Sequence, residues 1–269
     1  MSYPAPPKSS AWIAATARAA HQLYDQPLVL NDPLALRILG PQREAGLRAD
    51  EQRQRHPLAV AMRAAMAARA RAAEDCWHAT QRQGVTQYVI LGAGLDTYAY
   101  RMAPAHGVRI YEADLPTMQQ WKRDCLRISG IAEPEHLRYV ATDFAAGTLS
   151  EDLQQAGFDA ALPACFSWLG VSMYLQPDQV MQTLADIGAC APGSVIVFDY
   201  CVHRKHLSDE LCAGLDFVAA SLTAQGEHLR SSFEPPLLEH MLRHLGFRQV
   251  EHLAPPGLSG IFRMICATV

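Results

Sequence analysis

The sequence predicts an α/β fold: a mostly parallel seven-stranded sheet, a helical region ahead of it, and an antiparallel hairpin at its end. Three observations predict it. From Gln87 onward, short apolar runs alternate with helical stretches, the pattern of a parallel sheet covered on both faces. Residues 10–78 are rich in Ala, Arg and Leu at helical spacing. The last two apolar runs, 248–253 and 261–268, are joined by Ala254-Pro255-Pro256-Gly257 and a short loop, whereas parallel neighbours need a crossover of about a dozen residues or more.

The N-terminal region, residues 1–83, is expected to be a helical cap that contributes to the site. It is broken at Pro27, at Asn31-Asp32-Pro33, at Gly40-Pro41 and at His56-Pro57, so several short helices precede a long one over about 57–83. That last helix carries Arg63, Arg69 and Arg71 among alanines, which suits a solvated basic face as well as a ligand contact. The core, 84–269, holds strands at 87–91, 109–112, 137–141, 164–168 and 194–199, with helices at 118–129 and 179–190 between them. Pro177-Asp178 and Pro192-Gly193 are start and stop signals for the second of these helices. A polar stretch over about 202–236 interrupts the alternation and reads as a helical lid insertion. A helix at 236–245 then ends at Gly246 and leads into the hairpin.

Composition narrows the function classes. A chain of 269 residues with 49% hydrophobic and 19% charged residues is long enough to bury a full core and is neither disordered nor fibrous. A formal charge of -4 argues against a nucleic-acid footprint, which needs clustered Lys and Arg. The seven cysteines are scattered and never spaced as CxxC; they read as small buried hydrophobes in a reducing compartment, so no metal is expected. The Pro- and Ser-rich start does not resemble a signal peptide, and no run approaches 18 apolar residues. The expectation is a cytoplasmic protein without a membrane span, acting on a small molecule or a protein.

Gly92-Ala93-Gly94 follows the first strand directly, and its glycines let the backbone turn sharply and approach a ligand. In the dinucleotide fingerprint a third glycine follows; here Thr97 stands in its place, which disfavours a pyrophosphate. The second strand ends in Glu112-Ala113-Asp114, about twenty residues beyond Gly94, where a carboxylate can accept hydrogen bonds from ribose hydroxyls. Alternation puts Glu112 and Asp114 on one side, so either could serve. After the third strand, Asp143 could accept from an adenine amino group with Phe144 packed near the ring, or could simply cap a helix. The fourth strand runs into a stretch from Ser167 to Leu175, where Trp168, read as an exposed aromatic, and a flexible turn would lie where donor and acceptor meet.

Together these motifs resemble the leucine carboxyl methyltransferase family, specifically its bacterial branch of S-adenosylmethionine-dependent methyltransferases, which includes O-methyltransferases of polyketide biosynthesis. The similarity runs through Thr16-Ala17-Arg18, Asp32-Pro33, Ala68-Arg69-Ala70-Arg71, Leu91 to Arg101, Tyr111 to Pro116 with Lys122, Thr142-Asp143-Phe144, Gly170 to Leu175 and Asp199-Tyr200. It implies a class I methyltransferase (Rossmann-like) fold and S-adenosyl-L-methionine as cofactor. It also implies that Arg69, Gly92, Asp114, Asp143 and Phe144 bind the methyl donor, with Arg69 forked onto the donor's carboxylate and Asp114 favoured over Glu112 for the ribose. Arg18 matches a basic residue at the family's substrate mouth. Two positions depart from the pattern: Leu169 replaces a glutamate before Gly170, and Tyr98 stands where the bacterial branch has arginine.

Methyl transfer from a sulfonium is an in-line displacement that needs alignment and exclusion of water, and no metal. A carboxylate acceptor is already ionised and needs positioning, for which Tyr174 and Arg18 are candidates. A hydroxyl acceptor would want a base, for which His203 is the candidate. The expected activity is therefore O-methylation of a carboxyl or hydroxyl group on a small molecule. An NAD(P)-dependent dehydrogenase and a non-catalytic nucleoside-binding protein are the alternatives; Leu169 is the feature favouring the latter.

Overall fold

Strand β1 (Gln87–Leu91) is buried along its whole length, as only an inner strand of a covered sheet must be. It pairs in parallel with β2 (Arg109–Asp114) on one side and β4 (Ala164–Trp168) on the other. β3 (Leu137–Ala141) lies beyond β2 and β5 (Val195–Cys201) beyond β4, both parallel. β7 (Phe262–Thr268) is antiparallel to β5, and β6 (Gln249–Leu253) is antiparallel to β7 at the edge, giving the order β3-β2-β1-β4-β5-β7-β6. The expected mostly parallel seven-stranded sheet with its C-terminal hairpin is thus observed. β2 and β5 each run two residues further than the apolar runs suggest, because their neighbours keep pairing: Asp114 opposite Ala141, Cys201 opposite Phe262. The computed structural model describes residues 4–102, 106–255, 257–258 and 260–269; Pro256, within the expected hairpin turn, lies outside them.

The N-terminal helices are α1 (Ser9–Tyr24), α2 (Ala35–Leu39), α3 (Pro41–Ala49), α4 (Glu51–Gln54) and α5 (Pro57–Arg82). In the core follow α6 (Tyr98–Arg101), α7 (Pro116–Ile128), α8 (Leu149–Gln155), α9 (Pro177–Gly188), α10 (Asp209–Thr223) and α11 (Pro235–His244). Pro41, Pro57, Pro116, Pro177 and Pro235 all open helices, where a fixed φ helps and the missing N–H would have been unpaired anyway. This is why α7, α9 and α11 begin one or two residues before the spacing of their apolar positions suggests.

Strand alternation sorts the core into two faces. Val89, Leu91, Tyr111, Phe166, Trp168 and Phe198 meet α8, α9 and α11 through Leu153, Leu184 and Leu242. Tyr88, Ile90 and Ile110 face Trp77 of α5, with Trp77 and Tyr88 stacked at 4.8 Å. The cap is bound to the core by buried polar contacts as well. Asp32 is 1% exposed and accepts from Thr97 Oγ1 at 2.6 Å, while Arg101 pairs with Glu74 and lies 3.7 Å from Asp32. Thr97 therefore has a structural task in place of the third glycine. Within the cap, Arg63 forks onto Asp25 at 2.9 and 3.0 Å, and His21 Nδ1 meets the same carboxylate at 2.9 Å. Arg71 pairs with exposed Asp75. Among the described residues, no helix is long and apolar enough to cross a membrane.

Candidate functional site

The strand order reverses between β1 and β4, and in open α/β sheets ligands bind at the carboxyl ends beside such a reversal. The loops after β1, β2 and β4 meet there. Gly92 and Gly94 have φ of 67° and 47°, a region that L side chains rarely adopt. A Cβ on Gly92 would lie 2.3 Å from Val171 Cγ2, so this glycine lets the loops after β1 and β4 close on each other. Ala93 is buried inside the turn.

The two acids of β2 are separated by depth. Asp114 Oδ2 accepts from Gly94 N–H and Oδ1 from Leu115 N–H, both at 2.8 Å. An ionised carboxylate offers about four acceptor positions, so Asp114 holds the glycine turn and retains capacity for further donors. Burial raises its pKa and the two N–H groups only partly offset this. Glu112 is 1% exposed and is committed to Lys122 Nζ at 2.6 Å, beside the Tyr100–Tyr139 hydroxyl pair. Burial pushes its carboxyl up to about 7 against the pull of Lys122. The structure thus gives Glu112 an interior partner and leaves Asp114 at the turn.

Helices from the cap complete the rim. Ala11 of α1 comes within ordinary contact of Gly94, and Arg18 bonds Asp96 Oδ2 at 3.1 Å and the Leu95 carbonyl. Arg18, expected at the substrate mouth, fastens α1 to the glycine loop through these two contacts. Arg69 of α5 lies over Gly170 and donates to Asp199 Oδ2 at 3.0 Å. Tyr174, half-buried after β4, is held near Ser10, Arg69 and Glu227; burial pushes its phenol up to about 12. Glu227, beyond α10, accepts from Ser9 Oγ at 2.5 Å and Ser10 N–H at 2.8 Å, so a carboxylate sits at the N-terminus of α1.

Asp143 and Phe144 stand just beyond Thr142, whose N–H donates to the Asp114 carbonyl at 3.0 Å beside the end of β2. Asp143 is exposed and accepts from Ala145 N–H at 2.9 Å, a tight local turn. Phe144 is buried in the main core, 6.0 Å from Trp168. Trp168, expected to be exposed, is fully buried, because β4 is an inner strand to its last residue. His203 is exposed, and its Nδ1 caps the short 3-10 turn at Arg204–His206 through Lys205 N–H. Leu169 packs against the buried cluster of Ala73, Val197 and Met264, and Tyr98 joins the Trp77–Tyr88 aromatic group with its hydroxyl 3.0 Å from His78. Ser10, Asp199 and Glu227 were not sequence candidates. Asp199 had a signal, a lone acid in the apolar run of β5; Ser10 and Glu227, 217 residues apart, had none.

A family model described as leucine carboxyl methyltransferase matches residues 11–188. The Bacillus subtilis protein YktD, which carries the name of a methyltransferase dependent on S-adenosyl-L-methionine, is 29% identical over 272 residues, covering 93% of this chain and 89% of its own length. A protein of Mycolicibacterium gilvum with the same kind of name is 33% identical over 261 residues, covering 87% of this chain and 80% of its own. Among solved structures, one from Thermobifida fusca titled as a methyltransferase aligns with a TM-score of 0.56 at 17% identity, covering 94% of this chain and 93% of that one, a likeness of fold.

Proposed function

Since the chain belongs to the leucine carboxyl methyltransferase family and is an S-adenosylmethionine-dependent methyltransferase, we propose that it methylates an oxygen of a small molecule, with a carboxylate as the acceptor. The residues present suit the donor. The Gly92-Ala93-Gly94 turn gives close backbone approach, Asp114 has acceptor positions for ribose hydroxyls, and Arg69 has N–H groups for a carboxylate. When bound, the donor supplies an electrophilic methyl group on a sulfonium.

Tyr174 is the observation that carries the choice of acceptor. Half-buried at the rim beside Ser10, its phenol is protonated at neutral pH, as an ordinary tyrosine is and as burial reinforces, so it is placed to donate a hydrogen bond and not to act as a base. As a donor it suits an ionised carboxylate, which needs holding and no deprotonation. A hydroxyl acceptor would need a base, and His203 is engaged in its own turn at the surface. The chain's work is then to align two reactants and exclude water, an effect of about 7 to 11 kcal/mol in favourable geometry.

The test is methyl transfer from labelled S-adenosylmethionine to matched panels of carboxylic acids, phenols and alcohols, with products split by mild base, which cleaves methyl esters and spares ethers. Base-labile product, lost in Tyr174→Phe and retained in His203→Ala, is expected. Base-stable product that disappears in His203→Ala would overturn the carboxylate assignment. Titration with NAD alongside S-adenosylhomocysteine should show binding of the second alone.

A further inference from the structure

One carboxylate at the site has no task in the reading above. Asp199 is the only acid of β5 and is 1% exposed. Both of its oxygens are engaged: Oδ2 accepts from Arg69 Nη1 at 3.0 Å and Oδ1 from Gly170 N–H at 2.6 Å. Its backbone carbonyl accepts from Ser172 Oγ at 2.6 Å. A buried carboxylate persists only when charge and hydrogen bonds match it, and Arg69 supplies the charge. The arrangement also fixes the guanidinium. It lies against Gly170, where a Cβ would stand 2.8 and 2.9 Å from Nη2 and Nη1, so the absence of a side chain there makes its seat. Guanidinium presents five N–H donors in a rigid fork. Among the described residues only Nη1 has a hydrogen-bond partner, which leaves the rest of the fork for a ligand.

We propose that Asp199 is the positioning residue of the donor site: it locks Arg69 against Gly170 so that the unused edge of the fork meets the α-carboxylate of the donor's amino-acid end. Asp199 touches no ligand in this scheme and acts through Arg69. The inference rests on Arg69 being the carboxylate ligand, and the test separates the two.

Two probes differ in the relevant group: S-adenosylhomocysteine carries the α-carboxylate, and 5′-methylthioadenosine lacks the amino-acid end. Their dissociation constants are measured calorimetrically for wild type, Arg69→Ala, Asp199→Asn and Gly170→Ala; the last crowds the guanidinium and keeps the Asp199 side chain, and since Gly170 has a φ of 69° and donates to Asp199, strain in its loop is read from the second probe. Loss of a charge-assisted contact predicts that all three variants bind S-adenosylhomocysteine about 10- to 100-fold more weakly. Binding of 5′-methylthioadenosine should stay within about twofold, which also shows that the variants are folded. The double variant Arg69→Ala with Asp199→Asn should lose no more than Arg69→Ala alone. If Arg69→Ala is selective while Asp199→Asn and Gly170→Ala match wild type, the positioning role is overturned and the Arg69 reading stands. Equal weakening of both probes in Asp199→Asn, with Gly170→Ala unaffected, overturns it in favour of a loop-building role. No selectivity in Arg69→Ala removes the Arg69 reading, and the inference falls with it.

Discussion

Asp114 accepts two backbone N–H groups at the glycine turn, so its replacement probes the turn and the proposed ribose contact together. Asp114→Asn is expected to weaken S-adenosylhomocysteine binding by about 1 to 3 kcal/mol, as measured by calorimetry, with the circular dichroism spectrum unchanged. Glu112, two residues earlier, calls for a different experiment. Lys122→Met leaves a buried acid without its counter-charge, a change that costs about 3 to 5 kcal/mol. The deficit in urea unfolding should be larger at pH 8 than at pH 5, because at the lower pH the stranded carboxyl can take a proton. Depth is what the sequence could not convey here: alternation put both acids on one side, and the Lys122 partner that separates them lies on a different element. Phe144 and Trp168 were obscured for the same reason, since an aromatic at a strand end reads alike whether it faces a ligand or the core.

Elements were far more legible than side-chain partners. Apolar runs located all seven strands, and prolines marked the helix starts within two residues, since both signals are local. Contacts between distant elements left no local trace. The segment around α10 shows this: α10 packs Leu211 and Leu215 on Met173, Cys201 and Ile261, and Glu227 then reaches the first turn of α1. Burial works against the Glu227 charge, but the bonds from Ser10 and Ser9 outweigh it and hold the carboxyl below its ordinary value. Glu227→Ala removes this cap, at a cost of about 1 kcal/mol. Hydrogen exchange should accelerate in α10 and the start of α1 while α9 and α11 keep their protection; uniform acceleration would show that this segment has no separate anchor.

At the scale of the whole molecule, the cap and the sheet share buried charges, and this sets the response to pH. Glu74 and Glu112 are both pushed up by burial from 4.5 to about 7, against Arg101 and Lys122 respectively. A folded-state pKa above the unfolded value contributes stability that is fully present below 4.5 and is lost as pH rises through about 7. Asp25, Asp96 and Glu227 are shifted the other way, and their contribution is lost as pH falls through the acid range. The urea midpoint should therefore peak in mildly acidic solution and decline from pH 5 to pH 8; a steady rise across that interval would contradict the assignment. Arg101→Met should loosen the link between cap and core, raising the protease sensitivity of α1 and α5 ahead of the strands. Finally, the position of β7 bears on how the chain emerges from a ribosome. β7 follows β6 in the chain, yet it lies inside the sheet between β5 and β6. From the completion of β5 until β7 arrives, on the order of 60 residues and several seconds of translation later, the apolar edge of β5 lacks its strand partner, with only the Cys201 carbonyl reached by Phe233 N–H. A nascent strand edge of that composition is a target for pairing with other chains, so stalling translation between β5 and β7 should increase aggregation and chaperone occupancy more than stalling after β7.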